Sequence, residues 1–209
     1  MKRLNVLGKG LAAFAVLFSL TACEDDDVME PENARVLVVH ASPDAPAVDL
    51  LVDNNKVNSS ALAYPGNTGY LTIAEGSHNI KVNATGTNTS VINADVVLEK
   101  DMNYTVFAYD VASAIKPLIL MDNLATPANG KAHIRFMHLS PGAPAVTVGV
   151  LNGTAFTPLF SNRTFETAAT ATANQAFMPV DAGTYTLQVR VAGTDNVVLT
   201  VPNVALQNG

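Results

Sequence analysis

His40, Ser42 and Asp44 stand two residues apart in the stretch VVHASPDAPAVDLLVD, residues 38–53. These are the residue types of a base, a nucleophile and an orienting acid, the set that opens esters and amides. On one extended strand positions 40 and 42 share a face, so an imidazole–hydroxyl contact is open to them. The chain then repeats itself as FMHLSPGAPAVTVGVL, residues 136–151. His138, Ser140 and Pro141 return with the flanking alanines and proline, but Gly142 stands where the first copy has Asp44. Neither serine sits in the strained Gly-x-Ser-x-Gly elbow that exposes a hydrolase nucleophile. What persists between the copies is turn chemistry. Ser42-Pro43 and Ser140-Pro141 are expected to shape a tight turn, with His40 and His138 each ending a core face through a backbone hydrogen bond. No catalytic residue is assigned.

Metal chemistry finds little support in the spacing. The four histidines are His40, His78, His133 and His138, with no His-x-His or His-x-x-x-His pair, and Cys23 is the one cysteine. Zinc sites are built from such pairs and from thiolates. His40 and His138 hold matched positions in separate modules and are expected to lie well apart. Asp49 and Asp53 share a strand face, but the second copy has Thr147 and Leu151 there, so a solvated face is expected rather than a calcium site. No metal and no cofactor is expected, and no glycine-rich phosphate loop is present.

The elements that position these residues read as strands. Val36, Val38 and His40 alternate with Leu37, Val39 and Ala41, and Pro43 and Pro46 then stop the ladder. Val48, Leu50 and Val52 resume it, answered by Val146, Val148 and Val150 in the second copy. Asn54-Asn55 and Asn152-Gly153 supply hairpin turns. Further strands are expected in AEGSHNIKVNATGT and DAGTYTLQVRVAGT, in VVLEKDMNYTVFAYD, and in IKPLILMDN. The His-containing stretches align with an offset of 98 and the AEGSHNIKV and DAGTYTLQV stretches with an offset of 107; the extra length falls in the Thr/Ala-rich residues 157–176. Residues 164–175 contain four threonines and are read as loop. The fold class expected is all-β, two tandem Ig-like or transthyretin-like sandwich modules. They occupy residues 34–127 and 128–209, with the junction at NLATPANGK. The second is expected to lack its last one or two strands, because VPNVALQNG stands where the first continues into DMNYTVFAYD and KPLILMDN. On that reading the chain is an incomplete version of a longer protein, and its second module should recruit a strand or aggregate.

The pattern apolar-H-x-S-P-x-A-P-A-V, a hairpin, then A-G-x-Y-x-apolar-x-V resembles the domain of unknown function 4397 family. The resemblance implies exported bacterial proteins with sandwich modules and carries no activity with it.

Export is also written at the N-terminus. Lys2 and Arg3 precede an uncharged apolar run, residues 11–20, and the sequence LTAC, residues 20–23, looks like a lipobox. The run is short for a membrane-spanning helix. Residues 1–22 are therefore read as a lipoprotein signal peptide and Cys23 as the lipidated first residue. Residues 23–33 then form an acidic, self-repelling tether. Acids directly after the lipidated cysteine resemble a signal for the outer face of the outer membrane; the periplasmic face is the alternative. The chain carries a net charge of −6, and losing Lys2, Arg3 and Lys9 with the leader makes it more acidic. No basic stripe remains for nucleic acid.

Sugar recognition draws on aromatic platforms. The chain has no Trp, and Tyr64 in AYPGNTGY is the best-placed ring; the six Asn-x-Ser/Thr sequons read as by-products of Asn/Thr-rich turns. The function expected is a non-catalytic cell-envelope lipoprotein presenting Ig-like modules for adhesion, scaffolding or partner binding, anchored to the membrane through Cys23. A glycan-binding surface lipoprotein is the second reading and a hydrolase the third. Because each buried methylene of an acyl chain contributes about 0.8 kcal/mol, Cys23→Ser should move the protein from the membrane pellet to the soluble fraction. A mutant still membrane-bound in high salt would remove the lipid anchor from the account.

Overall fold

The computed structural model describes residues 32–208; the expected signal peptide, Cys23 and all but the last two residues of the expected acidic tether lie outside the described residues. The fold is all-β. The first half contributes β1 (Asn33–Ala41), β2 (Val48–Val52), β3 (Asn55–Lys56), β4 (Gly66–Ala74), β5 (Gly76–Ala84), β6 (Ser90–Leu98), β7 (Asn103–Tyr109) and β8 (Lys116–Met121). They form two four-stranded sheets, ordered β4-β1-β7-β8 and β3-β2-β5-β6. β1 and β7 run parallel; the other pairs are antiparallel. Alternation puts Val36 and Val38 of β1 and Val106 and Ala108 of β7 into one core with Leu50, Ile80, Val82 and Ile92 of the facing sheet. The β2–β3 hairpin turns at Asp53 and Asn54, both at positive φ, one residue earlier than the Asn-Asn pair suggests. Two consecutive positive φ values match the right-handed twist of the flanking strands.

The second half repeats the pairing with fewer strands. It contains β9 (Lys131–Ile134), β10 (Val146–Asn152), β11 (Ala155–Arg163), α1 (Ala168–Asn174), β12 (Met178–Asp181), β13 (Gly183–Val191) and β14 (Val197–Leu206). The sheet β11-β10-β13-β14 mirrors β3-β2-β5-β6, while β9 pairs with β12 as β1 pairs with β4. Among the described residues nothing takes the places of β7 and β8, and the core is correspondingly small: Val146, Val148 and Phe160, with Phe136, Met178 and Val189 partly buried against them.

The helix α1 corrects the loop reading of residues 164–175. Two threonines inside it cost roughly 0.5 kcal/mol each in propensity. Thr167 offsets this by capping the helix: its side chain accepts from the Thr170 backbone, and the Thr170 hydroxyl accepts from the Thr167 N–H. Such a cap contributes about 1 kcal/mol. The helix also has a surface to cover. Ala171 is fully buried against Tyr109, Leu118 and Leu120, with Phe165, Met137 and Leu139 beside them.

That surface is the outer face of the β4-β1-β7-β8 sheet. β1 is apolar on both faces, so a second layer must cover Leu37, Val39 and Ala41. The start of the second half supplies it, and the described residues form one compact unit. A buried ion pair pins the seam. Arg135 donates to Asp122 Oδ1 at 2.8 Å, and Tyr70 and Thr105 donate to Asp122 Oδ2 at 2.7 and 2.5 Å. The Asp122 side chain is 0 % exposed and that of Arg135 8 %. Arg135 also donates to the Gln175 carbonyl and lies 4.5 Å over the Phe177 ring. Burial, and the carboxylate it faces, push the Tyr70 hydroxyl up to about 12. Removing one member of such a pair leaves an uncompensated buried charge. Asp122→Ala should therefore lower the unfolding free energy by about 3–5 kcal/mol in urea titration; a loss under about 1 kcal/mol, the worth of an exposed pair, would mean that the seam does not depend on it.

Candidate functional site

The two histidine motifs adopt the same geometry. His40 Nε2 lies 3.0 Å from the Pro46 carbonyl, and the Ser42 N–H donates to His40 Nδ1 at 3.4 Å. His138 Nε2 lies 3.0 Å from the Pro144 carbonyl, and the Ser140 N–H donates to His138 Nδ1 at 3.4 Å. A carbonyl only accepts and an amide only donates, so Nε2 carries the proton and Nδ1 the lone pair. Each imidazole thus staples the two ends of its Ser-Pro-x-x-Pro loop from inside, where His40 is 1 % and His138 4 % exposed. Pro43 and Pro141 fix the backbone between the staples.

This bonding takes up both ring nitrogens and leaves neither for a serine hydroxyl. The Ser42 hydroxyl is buried without a hydrogen-bond partner. Asp44 accepts from the Ala112 N–H at 2.7 Å and holds a short 3-10 turn, Ala112–Ala114, rather than an imidazole. The three residues do not assemble into a triad. The other polar candidates are bound locally too. Asp53 accepts from the Asn79 N–H and pairs with His78 at 2.7 Å, which raises the His78 pKa and lowers that of Asp53. Asp49 pairs with Lys56 at 2.7 Å, and His133 stacks on Phe177 with ring centroids 6.4 Å apart. Among the described residues no group of three or more His, Cys, Asp or Glu side chains is placed to hold a metal ion.

The feature that stands out is a cleft. Its volume is about 560 Å³, and it is lined by Ala41, Pro43 and Tyr64 from the first half and by Phe136, His138, Val189 and Leu199 from the second. The seam carries the Pro43 turn to the same opening as His138, and the His40 ring lies edge-on to Tyr64 at 6.3 Å. A second cleft of about 530 Å³ lies between Ala132 and His133 of β9 and Ala205 and Leu206 of β14.

Between them β14 is bare. Val197, Val198, Leu199 and Val201 are 42, 52, 54 and 40 % exposed. The first half gives the reference. Ile92 of β6 pairs with Val82 as Leu199 pairs with Val189, yet Ile92 is 5 % exposed. The two positions share strand, pairing and an aliphatic side chain, but Ile92 lies in one core with Tyr104, Val106 and Ala108 of β7.

The family's profile matches residues 34–149, more than half of the chain. The chain belongs to the domain of unknown function 4397 family. The match begins in β1 and runs across the seam to Gly149 in β10, so it takes in both His-x-Ser-Pro motifs. No curated protein matches the chain. Among solved structures it is similar to the N-terminal domain of AlgF from P. aeruginosa, at 19 % identity and a TM-score of 0.34, over 45 % of this chain and 98 % of that one.

Sequence reasoning missed Asp122, Arg135, Glu166 and the cleft. Glu166 is fully buried; its carboxylate accepts from Thr170 and Asn174, and its carbonyl takes the Tyr109 hydroxyl. One signal was available: Leu37, Val39 and Ala41 are as apolar as Val36 and Val38, which marks a strand covered on both sides. If the imidazole staples are structural, His138→Ala and His40→Ala should each cost about 1–3 kcal/mol through the unpaired buried carbonyl and amide left behind. Chemical denaturation of the two variants measures it, and an unchanged midpoint in both would remove the staples' role.

Proposed function

We propose that this protein is a non-catalytic lipoprotein of the bacterial cell envelope that binds a protein partner through its second sandwich. The observation that carries the reading is the bare apolar run of β14 beside the inter-motif cleft. An exposed, uncharged edge strand is a liability that proteins normally blunt, unless it is covered in use. The stapled histidines agree with a scaffold rather than a reaction centre. Anchoring rests on Lys2 and Arg3, the apolar run and LTAC; the acidic tether would hold the modules clear of the outer membrane, facing the cell surface, with the periplasm as the alternative.

Glycan binding has one observation in its favour, since the Tyr64 ring is 47 % exposed at the rim of the cleft. The rest of that lining is mostly aliphatic and offers few partners for sugar hydroxyls. The test places a photo-crosslinking residue at position 199, and a control at position 97 on β6, in the anchored protein in cells. Discrete protein cross-links from 199 and none from 97 are expected. Glycan-array binding abolished by Tyr64→Ala, with no protein cross-link, would shift the assignment to the sugar. Ester or amide hydrolysis lost in Ser42→Ala would overturn the non-catalytic reading.

A further inference from the structure

A third cleft, of about 650 Å³, lies at the Arg35 end of β1. Its walls are Arg35, Met102 and Met121 of the first half, Leu124 of the junction and Phe177 of the second half. Clefts of this size hold small molecules. Arg35 is exposed and stands opposite Asn103 of β7. Its guanidinium carbon lies 4.8 Å over the Tyr70 ring. A guanidinium held over a ring is positioned without using up its N–H donors. Lys56, Lys100, Lys116, Lys131, Arg135 and Arg190 each meet a carboxylate. Among the described residues Arg35 meets none. Asp122 also lines the cleft, but its side chain is 0 % exposed and its oxygens accept from Arg135, Tyr70 and Thr105. Asn123 brings an amide whose oxygen already accepts from the Ala125 N–H at 3.0 Å, which leaves its NH₂ to donate. Beside these donors stand two bare apolar groups, Met121 and Leu124, 44 and 43 % exposed.

We infer that this cleft is a binding site for a small carboxylic acid with an aliphatic body. Arg35 takes the carboxylate, because its planar fork matches the two oxygens. Asn123 adds a donor. The body lies on Met102, Met121 and Leu124, and the flexible thioether chains adapt to its shape. One cation balances one negative charge. A phosphate monoester carries nearly two, and no other unpaired cation lines the cleft. The chain as a whole is acidic, so the acid is held by this local donor set and by apolar contact rather than by the general field. No residue of β14 lines the cleft, and the site does not depend on the partner-binding reading. Since its walls come from both halves, a bound acid also bridges them and stabilises the closed seam.

The probes are octanoate and N-acetylleucine, titrated into the chain from residue 24 onward with labelled methionine methyls. Saturable shifts are expected, largest at Met102 and Met121, with a melting temperature that rises with ligand concentration. The tighter of the two probes tells whether the acid is a free acyl chain or the C-terminal residue of a peptide. Acetate lacks the body and 1-octanol lacks the charge, so each should bind about tenfold more weakly than the better probe. Arg35→Gln should weaken that probe about tenfold, and Arg35→Lys, which keeps the charge without the fork, should weaken it less. Leu124→Asp leaves Arg35 in place and sets a like charge against the ligand, so it should abolish binding. Both positions are exposed, and the unliganded variants should keep the parent's melting temperature. Leu199→Asp on β14 should change nothing. Absence of saturable binding by either probe would overturn the site. Octanol binding as tightly as octanoate would reduce it to an apolar patch, and acetate or inorganic phosphate binding as tightly would reduce it to an unselective cation; either result overturns it. Indifference to both Arg35→Gln and Leu124→Asp would place the ligand elsewhere. Binding seen only after residues 24–31 are removed would make the chain's own acidic segment the occupant, and the inference would fall.

Discussion

The outer face of the β4-β1-β7-β8 sheet cannot be left in water, and the rest of the structure follows from that constraint. Leu118, Leu120 and Tyr109 lie on it as large apolar groups, each of which contributes about 1.5–3 kcal/mol when fully buried. The second half of the chain supplies the cover through Met137, Leu139, Phe165 and the helix α1. The cover leaves Asp122 and Arg135 without water, so their charges must meet each other and the hydroxyls of Tyr70 and Thr105. Desolvating two ions is expensive enough that such a pair adds little net stability; its geometry instead excludes alternative dockings, because any slip would strand a buried charge.

The same docking decides where the two histidine motifs end up. Each is a self-contained loop whose imidazole bonds backbone at both nitrogens, so each would form independently of the other. The seam brings the Pro43 turn and Tyr64 beside His138 and makes one cleft out of two loop surfaces. A motif that looks catalytic in one dimension becomes, in three, part of the frame around an apolar opening.

Repetition within one chain also gives an internal control. Ile92 and Leu199 occupy matched positions and differ about tenfold in exposure. Since sheet order and pairing are alike, side-chain identity and strand register do not explain the difference. Among the described residues only the two-stranded β9–β12 sheet faces the second core, where four strands face the first, and Leu199 is left at the surface. The sequence VVLTVPNVAL has no charge to discourage pairing at this edge.

Sequence by itself determined the all-β class, nearly every strand, the family and the matched turns. The reason is that period-two alternation, prolines and turn-forming Asn and Gly act over a few residues and leave local marks. It also marked the repeat, because a repeat can be compared with itself. The helix α1 was not legible, since its threonines argue against helix and the surface that rewards it, Leu118 and Leu120, lies some fifty residues away. The pair Asp122–Arg135 was not legible either: an aspartate and an arginine near a Pro/Gly-containing junction look solvated until the two halves close over them. The cleft belongs wholly to the tertiary structure, because residues from positions 41 to 199 line it and only the packing of one sheet's outer face brings them together.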